Sequence, residues 1–202
     1  MKTSFLRLLA AGSLLLAGVS FTGCRSAGYV DPDGPRTVVT LDSINIQDWS
    51  RAVDEMVASM VETGVLDRAP ELPAVMAVSR ITNNTSEQVD TDMLTRRIRV
   101  SLNRTNKVVT TTTVGLGGVA EDPLAQQEAE YRRFTQGDQA AREARPYWSL
   151  SGKILEDQVR AGRTRQTTYI FQLSLTEINT GLALWEDERR ITKQGTRPAV
   201  GW

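Results

Sequence analysis

The chain has 202 residues, 40% of them hydrophobic and 24% charged, with 24 basic residues balanced by 24 acidic ones. A net charge of zero argues against a dedicated nucleic-acid binder, and the balance is that of a globular domain large enough for a core of its own. Histidine is absent and cysteine occurs once, which removes Ser-His, Cys-His and His-metal chemistry together and leaves no disulfide within the chain.

The single cysteine stands in FTGCRS, residues 21–26. Ahead of it, Lys2 and Arg7 precede the uncharged, mostly apolar run LLAAGSLLLAGVS. A charged start followed by 7–15 apolar residues is the layout of a secretory signal, and the polar, turn-forming stretch around Gly23–Asp33 arrives too soon for a membrane-spanning helix of about 20 residues. Phe21-Thr22-Gly23-Cys24 resembles a bacterial lipobox, in which the signal is removed and the cysteine is acylated. On that resemblance residues 1–23 are the signal, Cys24 is the lipidation site carrying palmitate-type chains, and residues 24–40 form a tether. Arg25 follows the cysteine where an Asp would retain a lipoprotein in the inner membrane of a Gram-negative cell. The expected location is therefore the outer membrane, lipid-anchored and facing the periplasm.

Residues 25–36, RSAGYVDPDGPR, are rich in Gly, Pro and Asp and read as tether. A first helix is expected from Asp48 as N-cap to Gly64 as C-cap. Trp49, Val53, Met56, Val57, Met60 and Val61 recur at helical spacing and form one apolar face. PAVMAVSRI, residues 73–81, is a buried strand bounded by Pro73 and by NNTS, which reads as a turn. A second helix starts near Asp90 with Leu94, Ile98 and Leu102 inward, leaving Arg96, Arg97, Arg99 and Arg104 on a solvated face. VVTTTTV, residues 108–114, is β-branched throughout and reads as a strand. GLGG, residues 115–118, fits neither phosphate-binding glycine pattern and reads as a loop. Residues 123–145 suggest a polar third helix that breaks or ends near Gly137.

The last third has period-two alternation. Trp148, Leu150 and Ile154 alternate with Ser149, Ser151 and Lys153. Tyr169, Phe171, Leu173 and Leu175 alternate with Gln172, Ser174 and Thr176. RAGRTR, residues 160–165, is a basic loop between these strands, and Arg160, Arg163 and Arg165 are the partner-contact candidates, because binding residues often sit on such connections. INTG turns the chain into LALWEDERRI, giving an antiparallel meander. The expected fold is α+β: one domain over residues 41–195, a mixed β-sheet of four to five strands flanked by helices, closed by a C-terminal meander, with residues 196–202 as a tail. The acidic residues lie beside basic ones, as on a solvated surface. No catalytic residue, cofactor or metal ligand is expected.

DWSRAVDEMVASMVETG, PAVMAVSRITNNTSEQVDTDMLTRRIRVSLNRTNKV, YWSLSGKI and TTYIFQLSLTEINTGLALWEDERRITKQG together resemble the LpoB family. Its members are outer-membrane lipoproteins that activate class A penicillin-binding proteins, the peptidoglycan synthases. The resemblance implies a fold like the TolB N-terminal domain and a regulator of cell-wall biogenesis and cell shape that is not an enzyme. It implies as partners a class A penicillin-binding protein and, through the lipid, the outer membrane. Better-known members have a longer tether than this chain, and residues 115–145 match no family motif. A second reading is a curli-type secretion or other envelope-assembly lipoprotein. A pore of that kind needs a strand pair to line the membrane, and the sequence offers none outside the meander.

Overall fold

The computed structural model describes residues 28–32, 34–35, 37–41, 43–112, 122–137 and 145–196. Two compact units divide at Thr37 and Val38. In the first, Gly34 N–H donates to Asp31 O at 3.1 Å and the Thr37 hydroxyl donates to Gly34 O at 2.9 Å, turns that match the Asp-Pro-Asp-Gly composition.

The second unit opens with α1 (Ile46–Glu62). Its N-cap is Asn45, not Asp48. Asn45 is extended at φ −82, ψ 155, and Asp48 is the third helical residue, whose carboxylate accepts from Asn45 N–H at 2.8 Å to complete a capping box. A carboxylate three residues past an Asn satisfies an N–H that the helix leaves orphaned, so the helix starts earlier than Asp48. At the other end Thr63 is the C-cap and Gly64 follows at φ 66, the left-handed position that glycine fills without strain. Ala52, Val53, Met56, Val57 and Met60 are buried, whereas Val61 at the margin of the stripe is exposed.

A short 3-10 turn, Val65–Arg68, leads to β1 (Ala74–Val78). Only the second half of NNTS is the turn its composition suggests. Thr82–Asn84 form β2, paired in parallel with Lys153–Leu155 of β4 (Trp148–Ala161). The turn is made within the segment, where Asn83 Oδ1 accepts from the Thr85 amide at 3.1 Å and hydroxyl at 2.8 Å. α2 (Thr91–Arg104) is capped by Asp90, which accepts from the amides of Asp92 and Met93. It buries Leu94, Ile98 and Leu102, and β3 (Val108–Thr110) follows. Two of its arginines depart from the expected solvated face. Arg97 pairs with Asp54 of α1, which also accepts from Ser101 at 2.8 Å, and Arg99 reaches Thr110 at 3.3 Å. They tie α2 to its neighbours.

Residues 113–121, and with them GLGG, lie outside the described residues, as do 138–144. α3 (Pro123–Gln136) is capped by Asp122, has Pro at its start and ends at Gly137 with φ 69. The meander is β4, β5 (Thr164–Glu177) and β6 (Ala183–Thr196). The sheet runs β3-β1-β4-β5-β6, with β2 on β4. β1 is parallel to β3 and β4, and the meander is antiparallel. This is the expected mixed sheet, with the short β2 as an additional strand.

The core lies between one face of the sheet and α1 and α2. Trp148, Leu150, Ile154, Tyr169, Phe171, Leu173, Leu175, Trp185 and Ile191 join the helical stripes in one buried cluster. Each such side chain contributes about 1.5–3 kcal/mol by leaving water. Gly152 interrupts the large residues of β4 because a Cβ there would lie 2.6 Å from Gln172 O.

Candidate functional site

Cys24 lies outside the described residues, so its lipidation remains a sequence expectation. The three arginines can be placed. The RAGRTR segment is not a loop of its own: β4 and β5 pair up to Ala161 and Thr164, and only Gly162 and Arg163 form the turn. Gly162 takes φ +59, as two-residue hairpin turns require. Arg160 and Arg165 therefore lie within strands, directly opposite one another.

The three do not form one free cluster. Arg160 and Arg163 are exposed. Arg165 is half-buried and donates to Gln158 Oε1 at 2.8 Å. Gln158 in turn donates to Glu156, which accepts from both the amide and the hydroxyl of Ser86 at 2.7 Å. Burial alone would raise the Glu156 carboxyl, but the bonds from Ser86 and Gln158 and the charge of Arg165 outweigh it and hold the group below its ordinary value. Like charges placed directly opposite on a sheet are destabilising. Here the Gln158–Glu156 relay offsets that repulsion from the Arg165 side and leaves two cations at the tip.

A second feature, which the sequence reading did not single out, is a groove of about 1040 Å³ on the sheet. Strand alternation places Ser151 and Lys153 of β4, and Gln172 and Ser174 of β5, on the face opposite α1 and α2. Thr82 and Asn84 of β2 close one side, and Glu186, Glu188 and Arg190 of β6 the other. Gln172 donates to Glu188 at 2.6 Å and Arg190 pairs with Glu188 at 2.7 Å. Together these hold the Glu188 carboxyl below its ordinary value, with Gln172 the larger influence. Hydroxyls, amides and balanced charges can recognise a polar surface but provide no nucleophile–base pair. Among the described residues no group of three or more Cys, Asp or Glu is placed to hold a metal ion. No described helix is long and apolar enough to cross a membrane.

A buried ionic lock also escaped the sequence reading. Lys193 of β6 pairs with Asp48 at the start of α1 and donates to Ser43 O at 2.8 Å and to Asn45 Oδ1. The sequence signal that could have found the Asn45–Asp48 half is the Asn-x-x-Asp spacing of the capping box. The Lys193 half has no local signal, because its partners lie far away in the chain.

The sequence matches the LpoB family model, described as peptidoglycan-synthase activator LpoB, over residues 48–191. No curated protein sequence matches the chain. Among solved structures it is similar to the C-terminal domain of LpoB from Salmonella enterica, with 16% identity over 71% of this chain and 98% of that one, TM-score 0.45. The corresponding domain from Escherichia coli gives 17% identity, the same coverages and TM-score 0.44. Lipoprotein GNA1162 from Neisseria meningitidis gives 14% identity over 63% of this chain and 88% of that one, TM-score 0.41. The family match runs from the first turn of α1 into β6 and so spans the helices and sheet just described. The chain belongs to the LpoB family of peptidoglycan-synthase activators.

Proposed function

We propose that this protein is an outer-membrane lipoprotein, acylated at Cys24 and facing the periplasm, that binds and activates a class A penicillin-binding protein. The observation that carries the reading is the family match across residues 48–191, which runs from the first turn of α1 into β6. The absence of histidine from the sequence fits a protein that acts by docking. The exposed Arg160 and Arg163 at the hairpin tip, and the polar groove on the sheet, are the candidate docking surfaces.

The test is reconstitution. Purified protein mixed with a class A synthase should raise the rate of glycan polymerisation in proportion to complex formed. Polymerisation unchanged at saturating protein would reject the activator reading. Native mass spectrometry on the same sample checks the curli-type alternative, since a ring of many copies in place of a one-to-one complex would favour it.

A further inference from the structure

The connectivity of the sheet says where α3 belongs. α2 carries the chain from β1 to its parallel neighbour β3 and packs on the face that also receives α1. The next connection runs back past β1 to β4, again parallel to β1. It therefore crosses the sheet in the opposite direction. Connections between parallel strands of one sheet are right-handed in about 98% of cases. Two right-handed crossovers that run in opposite directions lie on opposite faces. With α2 on one face, α3 belongs to the other, the face that carries the groove.

The residues of α3 support that placement independently. None of them is buried, and Leu124, Tyr131 and Phe134 are 77%, 63% and 90% exposed. Their spacing puts them along one stripe. The helix is set by local signals at both ends, Asp122 and Gly137. At 14 residues it has the length at which an isolated helix is marginal in water, so it needs a surface to pack against. The open face has apolar ground of its own. Val75 and Val109 pair across β1 and β3, and Leu155 and Ile170 pair across β4 and β5. Val109 is 44% exposed.

We infer that α3 is a strap that docks, apolar stripe inward, across the open face of the sheet, making the domain three-layered and covering the groove. The occupant of that face is this chain's own helix, and a partner reaches the groove only when the strap is unseated. This inference rests on topology and exposure and does not depend on the activator role.

Cross-linking tests it. In the full chain carrying Cys24→Ser, Phe134→Cys is paired in turn with Val75→Cys, Ser151→Cys and Ile170→Cys on the open face. A control pairs it with Arg51→Cys on the exposed side of α1. Short bis-maleimides should join Phe134→Cys to at least one open-face position and not to Arg51→Cys. No open-face cross-link, or an equal yield with the control, overturns the strap. In a second arm, Ser151→Cys alone is labelled by a bulky thiol reagent. Seating by the strap should slow labelling about tenfold relative to a variant with Leu124, Tyr131 and Phe134 all changed to Ser. Equal labelling rates overturn the inference. Equal rates together with loss of synthase binding would assign the stripe to a partner.

Discussion

Lys193 joins β6 to the start of α1 with one ammonium group. Its three donors are met by Ser43 O, Asn45 Oδ1 and Asp48, and the Tyr169 ring lies 5.8 Å away. Both ends of the ion pair are 8% exposed. A buried charge that loses its partner is costly, about 3–5 kcal/mol, while a neutral replacement of both is much cheaper. Lys193→Met should therefore destabilise the domain by that amount, and Asp48→Asn in the same chain should recover most of it. Denaturant titrations of the two single variants and the double variant check this, and strictly additive losses would reject the coupling. Glu156 gives the pH dependence. Its carboxyl is held below the ordinary glutamate value, so its stabilising contribution is present in full above the unfolded value and is lost as pH falls through the depressed folded value. The melting temperature of Glu156→Gln should lie below that of the wild type at neutral pH, with the gap closing on acidification. A gap that widens toward low pH would contradict the assignment.

The strands of the meander divide their residues between two environments. Phe171 is 2% exposed in the core, whereas Gln172 lies on the open face and bonds Glu188. Phe171→Ala should cost about 3–5 kcal/mol, the usual range for emptying an aromatic site. Gln172→Ala removes one hydrogen bond while Arg190 still serves Glu188, and should cost about 0.5–1.5 kcal/mol. Similar midpoints in urea for both variants would remove the alternation on which the fold rests. At the hairpin end, replacing Arg160 and Arg163 with Ser should leave the melting temperature within about 2 °C, as exposed changes do, and should weaken synthase binding if the tip docks. Arg165→Ser behaves differently, because it breaks the link to Gln158 and should lower stability as well. Binding assays beside thermal melts separate the two roles, and unchanged affinity in the double variant would remove the tip from the interface.

At the scale of the whole protein, the proposed anchor at Cys24 and the distance it would allow bear on which partner could be reached. If Cys24 is acylated as proposed, the residues expected to follow it as tether, 25–40, could reach at most about 55 Å even if fully extended. A synthase held in the inner membrane would have to raise its docking domain toward the outer membrane to be engaged. Lipid chains contribute about 0.8 kcal/mol per buried CH₂, so a protein acylated as proposed would not leave its bilayer. Cys24→Ser should then leave folding and binding in solution intact while abolishing function in cells. Deleting residues 26–36 should impair cellular function without weakening binding in solution. Normal growth after that deletion would place the partner close to the outer membrane and favour the scaffold reading.

Much of this protein was readable from local patterns. The stripe of α1, the start of α2 at Asp90, the end of α3 near Gly137 and the alternation of Tyr169 to Leu175 are set by neighbours within a few residues, and the mixed α+β fold was readable from them. The start of α1 was misread although its signal, the Asn45–Asp48 spacing, is local, whereas the other misreadings depend on partners elsewhere in the chain. Thr82–Asn84 form a strand because Lys153–Leu155 offer a ladder, and without that ladder their composition is that of a turn. Arg97 and Arg99 bind across to Asp54 and Thr110, although on α2 alone they have the look of a solvated face. The three arginines of residues 160–165 form a cluster in sequence, but strand pairing sets two at the surface and ties the third to Gln158. The groove exists only once four strands lie side by side, and the Lys193–Asp48 pair only once β6 passes the start of α1. Local sequence fixes which backbone each segment prefers, because caps, turns and periodicity act over a single turn or pleat. Tertiary structure decides which charges meet and which face of the sheet receives α1 and α2, because those depend on distances that only the assembled sheet brings within a few ångströms.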